Sequence, residues 1–362
     1  MKTKPILYLS LSLLLLVGCT HQTGVPTPTA DRRVPLVVFA AGSLIIPFDA
    51  LETAFEQQYP HIDVHAEYHG SIQAIRHVTE LHDDIDVVAS ADASLIPMLM
   101  ENVTNPDTGH PYADWYIRFA SNHLALAYTP HSQRAAEITP DTWYNILADP
   151  NVYWGLSDPR FDALGYRALM VFALAQQTTH HPTLFNDIIG ERFTHPLTLF
   201  WDDDQGTITV PEIVETQAGS DLLLRGSSIQ LIALLQSGDI DYAFEYESVI
   251  RQHGLNMLPL PAPLNMGDAH TPYDHVQVHL DFRRFSSVQP QFRGTRISYG
   301  ITIPTNAQHA PEAALFIAFL LGPQGQAIMQ AHHHPLFDPP LGDGYPHIPT
   351  TLQSLCTPAT TP

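Results

Sequence analysis

Three short segments hold the residues best suited to chemistry. In Val37-Val38-Phe39-Ala40-Ala41-Gly42-Ser43-Leu44 an apolar run ends in small residues and a serine. The same order returns at His69-Gly70-Ser71-Ile72 and at Leu223-Leu224-Arg225-Gly226-Ser227-Ser228-Ile229. Each reads as a buried strand, a tight turn and the first turn of a helix. The first N–H groups of a helix have no partner within it, and a serine at that point adds a hydroxyl. Donors gathered in this way suit a small oxyanion. The bland reading is that these serines are plain helix caps.

The elements that must position these corners alternate along the chain. Leu36–Ala40 reads as a strand, followed by a helix with Pro47 in its first turn and Phe48, Leu51 and Phe55 on one face. Ile62–Tyr68 is a second strand, and Ile72, Ile75 and Val78 mark the inner face of a second helix. Ile85–Ala89 is a short strand and Ser94–Met100 a short helix. The alternation resumes with strands at Val152–Leu156, Leu222–Leu224, Ile240–Glu245 and Ile297–Ile303. Helices are expected at Gly165–Gln176, Ser228–Ser237, Pro311–Leu321 and Pro323–Ala331. The segments 206–219 and 265–296 stay unassigned, and from His332 onward a Pro-, Gly- and His-rich stretch reads as a tail. Strands alternating with helices predict α/β architecture with mainly parallel sheets, and ligands in such sheets sit beyond the strands' carboxyl ends.

The 362 residues are enough for two lobes, and a net charge of −21 disfavours a nucleic-acid binder. An anion site in so acidic a chain must work by short-range donors in a cleft. Lys2 and Lys4 precede the apolar run Ile6–Val17, which ends in Leu16-Val17-Gly18-Cys19. That order predicts a lipoprotein signal peptide over 1–18, cleaved before a lipidated Cys19. Residues 19–34, rich in Pro and Thr, read as a flexible tether.

The chain resembles the substrate-binding lipoproteins of tungstate/molybdate ABC transporters. The matching segments are Phe39–Leu44, His69–Ile72, Ala89–Pro97, Tyr112–Tyr116, Gly165–Arg167, Ser237–Tyr246, Gln252–Leu255 and Tyr299–Thr302. The resemblance covers roughly residues 36–335. It implies a type II periplasmic-binding-protein fold, with a ligand cleft between two lobes that close on the anion. Lobe I would be 35–122 plus 298–345, lobe II 123–297, and 346–362 a C-terminal tail. It also implies an oxyanion site made of Ser43 and Ser71 hydroxyls, backbone N–H groups of Leu164 and Ser228, the Tyr246 hydroxyl, and Asp162 reaching toward the metal. Archaeal-type members carry a second carboxylate where Ser228 stands, so a plain tetrahedral oxyanion is favoured here. No cofactor is implied. The expected partners are an ABC permease with its ATPase, and the membrane through the lipid; a monomer is expected.

A tetrahedral dianion such as molybdate needs donors and no acceptors, which Ser and Tyr hydroxyls and N–H groups supply. Asp162 is the exception. At ~4 Å from a unit negative charge it costs about 4 kcal/mol at an effective dielectric near 20. It must ligate the metal, be protonated or point away. Tyr246 as a core residue, Ser228 as a cap and Asp162 as loop polarity are the bland alternatives. Arg167 is expected to pair with an acid rather than touch the anion.

Of the 21 histidines, the run His332-His333-His334 lacks the spacing of a zinc site and reads as a solvated tail. Asp202-Asp203-Asp204 reads as a solvated acidic loop. Neither HExxH nor GxSxG occurs, so a secreted metal-dependent hydrolase is a distant alternative to a non-enzymatic binding protein. A sulfate or phosphate binder is the nearer one.

Overall fold

A computed structural model describes residues 33–281 and 290–359. The signal segment, Cys19 and the tether up to residue 32 lie outside the described residues. Among those described, the strands run β1 (Val34–Ala41), β2 (Ile62–His69), β3 (Val87–Ser90), β4 (Tyr116–Ala120), β5 (Leu124–Tyr128) and β6 (Trp154–Ser157). Then come β7 (Thr198–Asp202), β8 (Gln205–Val210), β9 (Leu222–Arg225), β10 (Tyr242–Tyr246) and β11 (Asn256–Pro259). The last are β12 (Val276–Leu280), β13 (Gln291–Arg293), β14 (Tyr299–Thr302), β15 (Leu336–Asp343) and β16 (Thr357–Pro358).

They form three sheets. A seven-stranded sheet has the order β16-β15-β4-β14-β3-β1-β2, and a five-stranded sheet the order β11-β5-β10-β6-β9. Each has a parallel block at one end, short of the mainly parallel sheets expected: β1 pairs with β2 and β3, and β6 with β9 and β10. Each is extended by antiparallel strands, β14 and β4 in the first and β5 and β11 in the second. The chain passes from the first sheet to the second between β4 and β5. It returns to the first after β13. Ser121 Oγ donates to the Ile297 carbonyl at 2.7 Å, lacing the two passages together.

The expected helices are present, for local reasons. Ile45–Gln58 buries Pro47, Phe48, Leu51 and Phe55 and stops before Tyr59-Pro60, where a following proline disfavours helix. Ser71–Thr79 buries Ile72, Ile75 and Val78. Ala163–Thr178 is buried on all sides over most of its length, as befits a helix inside a core. Its Phe172 packs against Trp143, Trp154 and Phe244. Ile229–Ser237 ends at Gly238, whose φ of 80° is the left-handed helix stop that glycine adopts without strain.

Two readings need correction. The unassigned segments, together with β7, where no strand was expected, build a third sheet, β13-β12-β8-β7, in which β8 lies parallel to β12. A strand whose partner comes from so far along the chain leaves little local signal. The stretch from His332 is not a solvated tail: β15 pairs with β4, β16 pairs with β15, and His334 is buried. The His334 ring meets Tyr299 edge-on, and burial lowers its pKa to about 4, which keeps it neutral. No single helix among the described residues is long and apolar enough to cross a membrane.

Candidate functional site

The strand-to-helix corners converge on one place. Gly42 and Ser43 follow β1, and Gly42 packs against Ser227 and Ile229 after β9; a Cβ on Gly42 would sit 3.1 Å from Ser227 Oγ. Gly70, after β2, lies so close to Phe161 that a Cβ would come within 2.3 Å of its carbonyl oxygen. That carbonyl accepts from the N–H groups of Ile72 (3.1 Å) and Gln73 (3.3 Å), at the start of the helix after Ser71. The edges of the two larger sheets therefore touch at the residues singled out from the sequence.

The hydroxyls have a consistent polarity. Ser71 Oγ accepts from the Ala91 N–H at 3.0 Å. Tyr246 Oη accepts from Arg167 Nη1 at 2.7 Å. Backbone N–H and guanidinium groups only donate, so each of these hydroxyls keeps its own proton for another acceptor. Burial pushes the Tyr246 phenol well above its usual range, so it stays protonated. Ser43 Oγ lies 2.9 Å from Tyr299 Oη. The rings of Tyr299 and Tyr246 lie 6.0 Å apart and link the two halves of the network.

Arg167 is buried and pairs with Asp92 at 3.1 Å, as expected of it, while also donating to the Ala91 carbonyl at 2.9 Å. Tyr166 Oη donates to the same Asp92 at 2.5 Å. Through these contacts the helix Ala163–Thr178 grips the loop after β3.

Asp162 caps that helix. Its Oδ1 accepts from Leu164 N–H at 3.0 Å and its Oδ2 from Ser228 N–H at 2.7 Å. The two backbone donors ascribed to an anion are thus both engaged by this chain's own carboxylate. Desolvation raises the Asp162 pKa, and the bonds from Ser228, Leu164 and Ser227 oppose that rise. Ser228 Oγ donates to Glu245 Oε1 at 3.2 Å, which also accepts from the Tyr246 N–H at 2.8 Å. Glu245 Oε2 is buried without a hydrogen-bond partner. Burial pushes the Glu245 carboxyl up to about 8, and the nearby Asp162 adds to the rise. A second carboxyl group therefore stands behind Ser228, brought from β10.

Ser43, Ser71, Asp162, Leu164, Ser228 and Tyr246 all enter this one network, and all are buried. The sequence reading gave no role to Tyr299, Asn122, Asp92 or Glu245. Three of the four stand in segments already quoted for the resemblance; Asn122 had no such signal. Asp202, Asp203 and Asp204 are exposed at the β7–β8 turn. Among the described residues no three His, Cys, Asp or Glu side chains group as a metal site.

A family model described as bacterial extracellular solute-binding protein matches residues 36–334. An uncharacterized solute-binding protein of Methanoculleus marisnigri is 35% identical over 347 residues, covering 94% of both chains. The molybdate/tungstate-binding protein WtpA of Thermococcus kodakarensis is 33% identical over 360 residues, covering 96% of both. Among solved structures, the sulfate-binding protein SubI of Mycobacterium tuberculosis aligns with a TM-score of 0.53 at 13% identity, covering 90% of this chain and 93% of that one. The Azotobacter vinelandii periplasmic molybdate-binding protein aligns with a TM-score of 0.51 at 15% identity, covering 83% and 99%. At such identities the structural likeness is one of fold.

Proposed function

The chain belongs to the bacterial extracellular solute-binding protein family, and from that premise we propose that it captures molybdate or tungstate and delivers it to an ABC permease. The observation that carries this reading is the meeting of hydroxyl donors from two sheet edges, each already bonded so that its proton is left to give. A relative 33% identical is named as a molybdate/tungstate binder. On this reading the seven-stranded sheet is the core of lobe I and the five-stranded sheet that of lobe II. Their approach at Gly42 and Gly70 is the closed arrangement, and opening at the laced passages near Ser121 and Ile297 admits the anion.

Hydrogen bonds to a charged group contribute about 1.5–3 kcal/mol each, so the Ser43, Ser71 and Tyr246 hydroxyls supply about 4.5–9 kcal/mol, less the cost of closure, toward the roughly 12 kcal/mol of nanomolar binding. Asp162 is the group that tells oxyanions apart. A molybdenum or tungsten centre accepts a carboxylate ligand, whereas sulfate's sulfur does not, so toward sulfate Asp162 only repels. The lipid on Cys19 would hold the protein at the outer face of the membrane, as a monomer beside the permease and its ATPase. It carries its ligand unchanged and is no enzyme.

Calorimetric titration of the anion-free protein tests the reading. Tight molybdate or tungstate binding, with weak or silent sulfate and phosphate, is expected. Tight sulfate or phosphate binding would overturn the choice of anion. Silence toward all four in a folded sample would overturn the site.

A further inference from the structure

The Ser43–Tyr299 contact has no direction of its own, because either hydroxyl can donate. The direction is decided one residue further back. Asn122 Oδ1 accepts from the backbone N–H groups of His123 (3.0 Å) and Ser248 (3.3 Å). Those groups only donate, so that end of the amide is oxygen and the other end nitrogen. Asn122 Nδ2 then donates to Ser248 Oγ at 2.7 Å and to Tyr299 Oη at 3.1 Å. Burial raises the pKa of Tyr299, which keeps its proton. Having accepted from Asn122, it passes that proton toward Ser43 Oγ. Ser43 is left with its own proton to give.

The other branch agrees. His334 Nδ1 lies 3.2 Å from the His332 carbonyl, an acceptor only, so Nδ1 carries the proton and Nε2 is bare. Ser248 Oγ, 3.4 Å from Nε2, receives from Asn122 and donates to His334. Both branches run outward from one amide whose orientation the backbone dictates. Asn122, Ser248, Tyr299 and His334 are all buried, so water does not scramble the order.

We propose that Asn122 and Tyr299 are positioning residues that lock Ser43 as a donor and so set a preference for oxyanions that carry no proton. The proposal rests on the oxyanion reading above. Ser71 and Tyr246 are locked in the same sense by Ala91 and Arg167. An unprotonated tetrahedral dianion only accepts and satisfies all three hydroxyls. Phosphate keeps a proton near neutral pH, and a hydroxyl that turns its remaining lone pair to that proton gives up the bond its own proton makes to the anion.

Asn122→Asp inverts the relay. Its carboxylate still accepts from His123 and Ser248, but its second oxygen can only accept. Tyr299 then donates backward, Ser43 donates to Tyr299, and Ser43 Oγ faces the site as an acceptor. The full-length protein, freed of anion, is titrated with molybdate, tungstate, sulfate and phosphate at fixed salt. The added charge repels every anion, so the ratio of affinities is the readout. The preference for molybdate or tungstate over phosphate should shrink by roughly tenfold or more, the weight of one hydrogen bond to a charged group. Tyr299→Phe, a milder change, frees the Ser43 hydroxyl to rotate and should shrink the ratio less.

A second readout needs no ligand. The Raman doublet of Tyr299, isolated by subtracting matched Tyr299→Phe spectra, should move toward a stronger donor in Asn122→Asp. An unmoved doublet, or an equal loss of affinity for all anions, would overturn the relay. A wild-type protein that binds none of the four anions would instead sink the oxyanion reading, and the selectivity role with it.

Discussion

The two sheet edges that meet at the site are built alike and charged differently. On the seven-stranded side, Ser43 and Ser71 stand after β1 and β2, and their hydroxyls are bonded to neutral groups, Tyr299 and the Ala91 N–H. On the five-stranded side, the corners after β6 and β9 present Leu164 and Ser228, whose N–H groups both hold Asp162. Glu245 lies behind them with one oxygen unpartnered. On the proposed reading, the first edge offers only protons to an incoming anion. The second offers the Tyr246 proton beside a carboxylate already seated on its donors. A strand-to-helix corner announces that donors exist; the surrounding packing determines which acceptor takes them.

The largest effect should come from cutting the link between the edges. Arg167 reaches from the helix behind Asp162 to Asp92 and Ala91 on the other side. Arg167→Met leaves Asp92 as a buried charge without its cation, and such losses typically cost about 3–5 kcal/mol. A large drop in the denaturant midpoint is expected. An unchanged midpoint would mean that the edges are held together by other contacts.

The contrast in charge is tested next. Asp162→Asn keeps an N-cap but removes the negative charge. Sulfate affinity should rise by roughly tenfold or more as the repulsion disappears, while molybdate and tungstate lose a ligand and bind more weakly. Parallel gains for all these anions would show that Asp162 repels every one of them and ligates none.

Smaller still is the difference between the two serines. Ser43→Ala removes a donated hydroxyl and should weaken binding by about 10- to 150-fold, the equivalent of about 1.5–3 kcal/mol. Ser228→Ala keeps the backbone N–H and removes only the bond to Glu245, so its effect on affinity should be several-fold smaller. Equal losses in a titration of the two variants would erase the distinction between the edges.

A further expected effect is on pH dependence. Glu245, raised to about 8 by burial, keeps its proton in the folded chain at pH values where the unfolded chain has lost it. Its contribution to stability is complete below the unfolded carboxyl pKa, near 4.3, and is lost as pH rises through about 8. Unfolding midpoints followed across that window should decline in the wild type. Glu245→Gln should flatten the decline, and an identical slope in both proteins would place the titration elsewhere.

Much of this was legible along the chain because it is local. Apolar runs followed by Gly-Ser, and helices with one buried face, need only neighbouring residues to be recognised, and β1, β2, β3 and their helices lie close to where they were expected. The third sheet was not legible, because β8 finds β12 only after folding, pairing Gly206 with Val276. His334 failed for the same reason. A histidine run in a Pro-rich stretch looks solvated until Tyr299 and Ser248 close over it.

The sequence by itself determined that hydroxyl and N–H donors stand at strand ends, since residue type and turn chemistry are properties of a few consecutive residues. The tertiary structure alone decided how they are used. It seated Asp162 on Leu164 and Ser228, brought Glu245 behind Ser228, and aligned Asn122, Tyr299 and Ser43 into one directed relay. A hydrogen bond's direction depends on what its partner is already bonded to, and those partners come from segments far apart in the chain.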